Sequence, residues 1–141
     1  MPTMDQIKTQ LQGLLKNHPN VNIDILIAYH PAFTCLPEIL EDEELIQGYC
    51  MGLLESKKQK MGAGKWIVLL TNKRFYFIRK LMFRSKFDSI PIELPDIKKL
   101  TPKMGWFFGK IQWETEDDTI QMLQIGKKDY EFFLPCLEGF L

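Results

Sequence analysis

From Glu43 onward the chain breaks into short apolar and aromatic runs separated by turn residues at regular spacing, and this constrains the fold more than any other feature. Such punctuation belongs to an all-β sandwich or barrel. The runs place strands at 44–56, 65–71, 74–81, 87–94, a short one at 97–101, then 106–115 and 119–125. Asn72-Lys73 lies between two strong strand candidates, and asparagine tolerates the backbone angles of a tight hairpin. Glu116-Asp117-Asp118 is a polar turn between two more, and Gly62-Ala63-Gly64 lies in a longer loop. In the third run Phe75 and Phe77 share one face, with Arg74, Tyr76, Ile78 and Lys80 on the other. In the sixth, Ile111 and Trp113 alternate with Lys110, Gln112 and Glu114, as in a half-buried antiparallel strand.

The flanks read as helical. Met4, Ile7, Leu11, Leu14 and Leu15 form one apolar stripe, and Thr3 with Gln6 has capping-box spacing, so a helix is expected over 3–17. Asn17-His18-Pro19-Asn20 stops it. Residues 21–30 alternate like a strand but are too few for periodicity to decide. A helical turn is expected over 37–41, since proline suits a first helical position. At the other end Tyr130, Phe133, Leu134, Leu137 and Leu141 form a second stripe, with Asp129 as N-cap and Pro135 as a kink. The expected division is an N-terminal helical extension, 1–40, and a β domain with a C-terminal helix, 41–141.

Composition narrows the function classes. The chain has 141 residues, 45% hydrophobic and 12% aromatic, enough to bury a core without disulfides or metal. Its 18 basic and 18 acidic residues balance, so no overall charge points to nucleic acid. Cys35, Cys50 and Cys136 are odd in number, widely spaced and free of any CxxC motif, which argues against a disulfide framework and a zinc ribbon. No signal-peptide pattern opens the chain, and the longest apolar run, 66–70, is far short of a membrane span. A reducing, cytoplasmic setting is the expectation.

Seven antiparallel strands followed by one amphipathic helix that plugs the open end is the order of a pleckstrin-homology (PH) domain. The segment 64–78, reading GKWIVLLTNKRFYFI, resembles the "G-x-x-x-L-T-N-x-R" hairpin of the bacterial PH-like families, in particular the YokE-like one. The Gly-x-x-x-Gly-Lys-Ile pattern over 105–111 is similar to that family's sixth strand, and IGKKDYEFF over 125–133 to the start of its helix. The resemblance covers roughly residues 40–141 and implies a PH-like fold, no catalytic residues and a tendency to self-associate.

Three candidate sites follow. Lys57, Lys58, Lys60 and Lys65 flank the loop between the first two strands, with Lys73 and Arg74 in the next hairpin. In eukaryotic PH domains the corresponding loop holds phosphoinositide headgroups, and lysine and arginine supply the donors for phosphate. This chain departs from that pattern, because 66–70 is wholly apolar where a basic residue belongs; the alternative is a solvated hairpin tip. A second basic group, Arg79, Lys80, Arg84 and Lys86, is interleaved with Leu81, Met82 and Phe83, a pattern that docks on anionic membranes or simply forms a loop. Third, Trp106-Phe107-Phe108 cannot all face one side of a strand. They are covered by the N-terminal helix or, with Phe132 and Phe140, form an interface.

His18 and His30 flank prolines and have no metal-ligand spacing, and the acidic run 41–44 lacks the pattern of a calcium loop and reads as a solvated boundary. No nucleophile elbow or nucleotide fingerprint occurs. No catalytic residue, metal or cofactor is therefore assigned. The expected function is a non-enzymatic binding or assembly module, working through a protein partner or a homo-oligomer. The alternative is anionic lipid or phosphate headgroups held by the basic loop at a membrane surface.

Overall fold

The computed structural model describes residues 1–15, 22–62, 64–80 and 86–141. Seven strands form one open antiparallel sheet: β1 (Ile46–Ser56), β2 (Trp66–Thr71), β3 (Arg74–Lys80), β4 (Phe87–Glu93), β5 (Lys99–Met104), β6 (Gly109–Glu114) and β7 (Thr119–Ile125). Their order is β4-β3-β2-β1-β7-β6-β5, so β4 and β5 are edges and the sheet does not close. The long strand β1 serves both halves. Ile46 to Gly52 pair with β2, and Leu53 to Ser56 pair with β7. Gly52 sits at the changeover, where a Cβ would lie 2.3 Å from the Leu123 carbonyl oxygen, so only glycine lets β7 approach this closely.

The two halves pack on one another across a core that contains Val68, Leu70, Phe75 and Phe77 from one half and Ile111, Trp113 and Met122 from the other. Trp113 meets Phe77 and Phe75 edge-on, with ring centroids 4.9 and 5.6 Å apart. α4 (Lys127–Phe133) and the 3₁₀ segment Leu134–Phe140 close this core with Tyr130, Phe133 and Leu137. The N-cap of α4 is Gly126, not Asp129, which sits one turn inside. Pro135 does not merely kink the helix. Without its N–H the α-ladder ends, and the tighter 3₁₀ winding takes over at Leu134.

A second core lies on the outer face of β1, β2 and β3. It is covered by α1 (Met4–Leu14), α2 (Ile23–Tyr29), the 3₁₀ turn Pro31–Cys35 and α3 (Leu36–Ile39). Ile7, Leu11, Phe33 and Leu36 meet Tyr49, Ile67, Leu69 and Tyr76 there. The capping box at Thr3 and Gln6 forms as the spacing predicts. The strand-like alternation near 21–30 instead gives helix over Ile23–Tyr29. The Asn22 side chain accepts the Asp24 and Ile25 N–H groups at 2.8 and 3.3 Å, and Ile23, Leu26 and Ile27 share one face against the core.

Strand β2 is therefore buried along its whole length: Trp66, Val68 and Leu70 face the inter-sheet core while Ile67 and Leu69 face the helices. This double burial accounts for the apolar run that lacks the basic residue of eukaryotic PH domains.

Candidate functional site

Lys57, Lys58, Lys60 and Lys65 are exposed in the β1–β2 connection. Asp118, in the β6–β7 turn, organises its start. The Asp118 carboxylate accepts the Ser56 hydroxyl and the Lys58 and Thr119 N–H groups, the last two at 3.2 and 2.7 Å, and Ser56 Oγ accepts the Gln59 N–H at 3.0 Å. Burial disfavours the charged carboxylate, but these donors together hold its pKa below the ordinary value. The Lys58 N–H is thus already taken by a carboxylate of the protein itself, and the Gln59 N–H by the Ser56 hydroxyl. Burial and then the Lys65 charge lower the His30 pKa, while burial raises that of Asp129 against the pull of the His30 and Lys65 charges.

Lys73 and Arg74 do not join this group. They lie at the opposite end of β2, whose six residues at about 3.3 Å each put roughly 20 Å between the two turns. Both are neutralised. Lys73 Nζ meets Glu41 at 3.2 Å, and Arg74 meets Glu44 and Glu41 at 3.3 Å and Glu93 at 2.8 Å. The Arg74 guanidinium also donates to the Tyr76 hydroxyl at 2.7 Å, an interaction that leads the causes raising its pKa. Glu44 is the centre of this network. Its buried carboxylate accepts the Thr71 hydroxyl at 2.5 Å, the Tyr76 hydroxyl at 2.7 Å and the Glu41 N–H at 3.0 Å. Asn72 Oδ1 accepts the Leu45 N–H at 2.8 Å. The Thr-Asn-Lys-Arg turn is therefore a clamp on the entry to β1. The acidic run is only partly the solvated boundary its sequence suggests, because Glu44 is 1% exposed.

A cleft of about 540 Å³ opens beside the β1–β2 loop, lined by Lys60, Trp66, Arg79, Asp88, Ser89 and Ile90 among others. Arg79 spans it, stacked on Trp66 at 5.3 Å and paired with Asp88 at 2.7 Å. Of the second basic group, Lys80 donates to Thr34 Oγ1 at 3.2 Å and Lys86 is exposed, whereas 81–84 lie outside the described residues, as does His18. Among the described residues no group of three or more His, Cys, Asp or Glu is placed to hold a metal, and no helix is long and apolar enough to cross a membrane.

The aromatic triplet differs most from its sequence reading. Residues 105–108 are not the start of β6 but the tip of the β5–β6 hairpin, closed by the Gly105 N–H donating to the Phe108 carbonyl at 2.9 Å. Trp106, Phe107 and Phe108 are 98%, 79% and 52% exposed. The N-terminal helices do not cover them, since those helices lie on the outer face of β1–β3. Phe132 and Phe140 are not part of this patch: Phe132 packs on Tyr49 with centroids 5.5 Å apart and Phe140 on Phe75 at 5.4 Å. The two glycines bracketing the triplet were the available signal for a turn.

An open, seven-stranded antiparallel sandwich stoppered by a C-terminal helix is a PH-like architecture. The chain belongs to the bacterial PH domain family, whose family model matches residues 40–138. Among solved structures it is similar to a DUF1696 family protein with a pleckstrin-homology domain from Shewanella loihica PV-4. That likeness has a TM-score of 0.49 and 16% identity, over 86% of this chain and 98% of the other. None of the curated proteins matches the chain. PH-like domains are generally non-catalytic binding modules, and no enzyme family is indicated.

Proposed function

We propose that this chain is a non-catalytic docking module whose contact element is the aromatic tip of the β5–β6 hairpin. The observation that carries this is the exposure of three consecutive aromatic side chains, Trp106 at 98%, on a turn that the rest of the fold leaves uncovered. Exposed apolar clusters of this kind mark interaction sites. Self-association by strand addition is the weaker route, because each edge strand carries a proline, Pro91 in β4 and Pro102 in β5, that cannot donate to a new ladder. The basic β1–β2 loop is the other surface to weigh, but Asp118 already takes its Lys58 N–H, and Asp88 pairs with the neighbouring Arg79.

The test compares the wild type with a W106S/F107S/F108S variant for mass at high protein concentration and for co-sedimentation with the membrane and protein fractions of a cell extract. The variant is expected to lose the associations the wild type makes. Associations that persist unchanged without the tip overturn this assignment.

A further inference from the structure

We infer that the occupant of this tip is an anionic lipid bilayer, bound by insertion of Trp106, Phe107 and Phe108 within a collar of lysines; this rests on the docking role proposed above. The collar is read from the register. Lys103 and Lys110 are direct partners across β5 and β6, the second pair below the tip, and both are exposed. Like charges facing each other across an antiparallel pair destabilise a hairpin, and nearby anions relieve the repulsion. Gly109 pairs with Ile125, and the Tyr130 ring lies so close over Gly109 that a Cβ there would be 2.3 Å from it. α4, whose first turn carries exposed Lys127 and Lys128, therefore sits beside the tip end of the hairpin. None of these four lysines makes an ion pair among the described residues. The acidic residues of α4 are Asp129, which is half-buried near His30 and Lys65, and Glu131, which is exposed.

Shape decides between a bilayer and a folded partner. A standard protein interface engages about 20–30 residues a side. A four-residue convex turn offers far less, whereas a lipid interface accepts a small apolar wedge and favours tryptophan at headgroup depth. Anionic headgroups then meet the lysines at the level of the Lys103–Lys110 pair. The β1–β2 lysines take no part in this contact. Ser56 pairs with Ile120 at the start of β7, while the tip adjoins Ile125 at its end, so the seven residues of β7, at about 3.3 Å each, separate the two.

The experiment uses the full chain with phosphatidylcholine vesicles, pure or mixed with phosphatidylglycerol. Trp66 and Trp113 are 2% and 0% exposed, so Trp106 alone reports on the tip. Phosphatidylglycerol vesicles are expected to shift its emission to the blue, protect it from acrylamide and pellet the protein, and added salt is expected to reverse all three. W106A/F107A is expected to abolish pelleting. K103A/K110A is expected to weaken it by roughly twenty-five-fold, at about fivefold per lysine. K57A/K58A/K60A is expected to leave it unchanged. Equal binding to neutral vesicles, or binding that depends on Lys57, Lys58 and Lys60 but not on the tip, overturns the inference. Tip-dependent self-association or protein binding without vesicle binding overturns it too, while leaving the docking role standing. Near-ultraviolet circular dichroism of each variant separates lost binding from lost fold.

Discussion

Tyr76 donates its phenolic hydroxyl to the buried carboxylate of Glu44 at 2.7 Å, linking the third strand to the residue that leads into the first. Thr71 and Arg74 meet the same carboxylate, so four side chains fix where the chain enters the sheet. A buried ion pair adds little net stability over an apolar substitute, but removing one partner strands the other charge. Arg74→Ala is therefore expected to cost about 3–5 kcal/mol. Glu44→Gln leaves Arg74 its partners Glu41 and Glu93, at 3.3 and 2.8 Å, so it is expected to cost less, and the double variant to be more stable than the sum of the two predicts. Urea midpoints in a double-mutant cycle measure this, and additive effects would show that the two residues are not coupled.

High pH should attack the same region. Burial is the main cause that pushes both Tyr76 and Tyr49 from an ordinary value of 10.0 to about 12. The folded state therefore keeps protons that the unfolded chain releases. The stability they contribute is complete below pH 10 and is lost as pH rises through about 12. Urea midpoints are expected to fall steeply across that interval, and Y49F/Y76F to flatten the fall. An unchanged slope in the double variant would place the alkaline transition elsewhere.

The strands were legible because alternation survives wherever one face is buried, as with Phe75 and Phe77 against Tyr76 and Ile78. The C-terminal stopper was legible for a similar reason, since Tyr130, Phe133 and Leu137 repeat at helical spacing. Glu44 was not. In sequence it is one of four adjacent acids, and only the approach of Thr71, Arg74 and Tyr76 from a distant hairpin distinguishes it. The separation of the two basic groups was hidden likewise. Lys57 to Lys65 and Lys73-Arg74 are close in sequence, but the extended strand between them carries the two groups to opposite ends of the sheet. Residues 23–29 stayed undecided in the sequence because seven residues cannot separate the two periodicities, and the deciding cap is the single residue Asn22.

Asp118 should govern how well the β1–β2 loop is held. Its pKa lies below the ordinary carboxylate value of 3.8 because the donors on Ser56, Thr119 and Lys58 outweigh its partial burial. Stability from this group is present above pH 3.8 and lost as pH falls through its lower folded-state value. Asp118→Ala is expected to remove that part of the acid sensitivity. It should also release the loop, so that limited trypsin digestion cuts faster at Lys57, Lys58 and Lys60. Cleavage at the wild-type rate would show that Asp118 does not hold the loop.

The aromatic side chains should divide into two groups that sequence alone cannot separate. Phe140 rests on Phe75 in the inter-sheet core, and Phe132 packs on Tyr49 against the helical layer. Truncating either to alanine is expected to cost about 1–3 kcal/mol through lost packing. Trp106 and Phe107 touch little of the folded chain, at 98% and 79% exposed, so their alanine variants are expected to stay within about 0.5 kcal/mol of the wild type. Urea unfolding followed by far-ultraviolet circular dichroism checks both, free of any fluorescence change from the lost Trp106. Contiguous exposed apolar side chains that the fold does not need mark a contact surface. A large stability loss in W106A would instead make the tip part of the fold and remove the basis for assigning it a docking role.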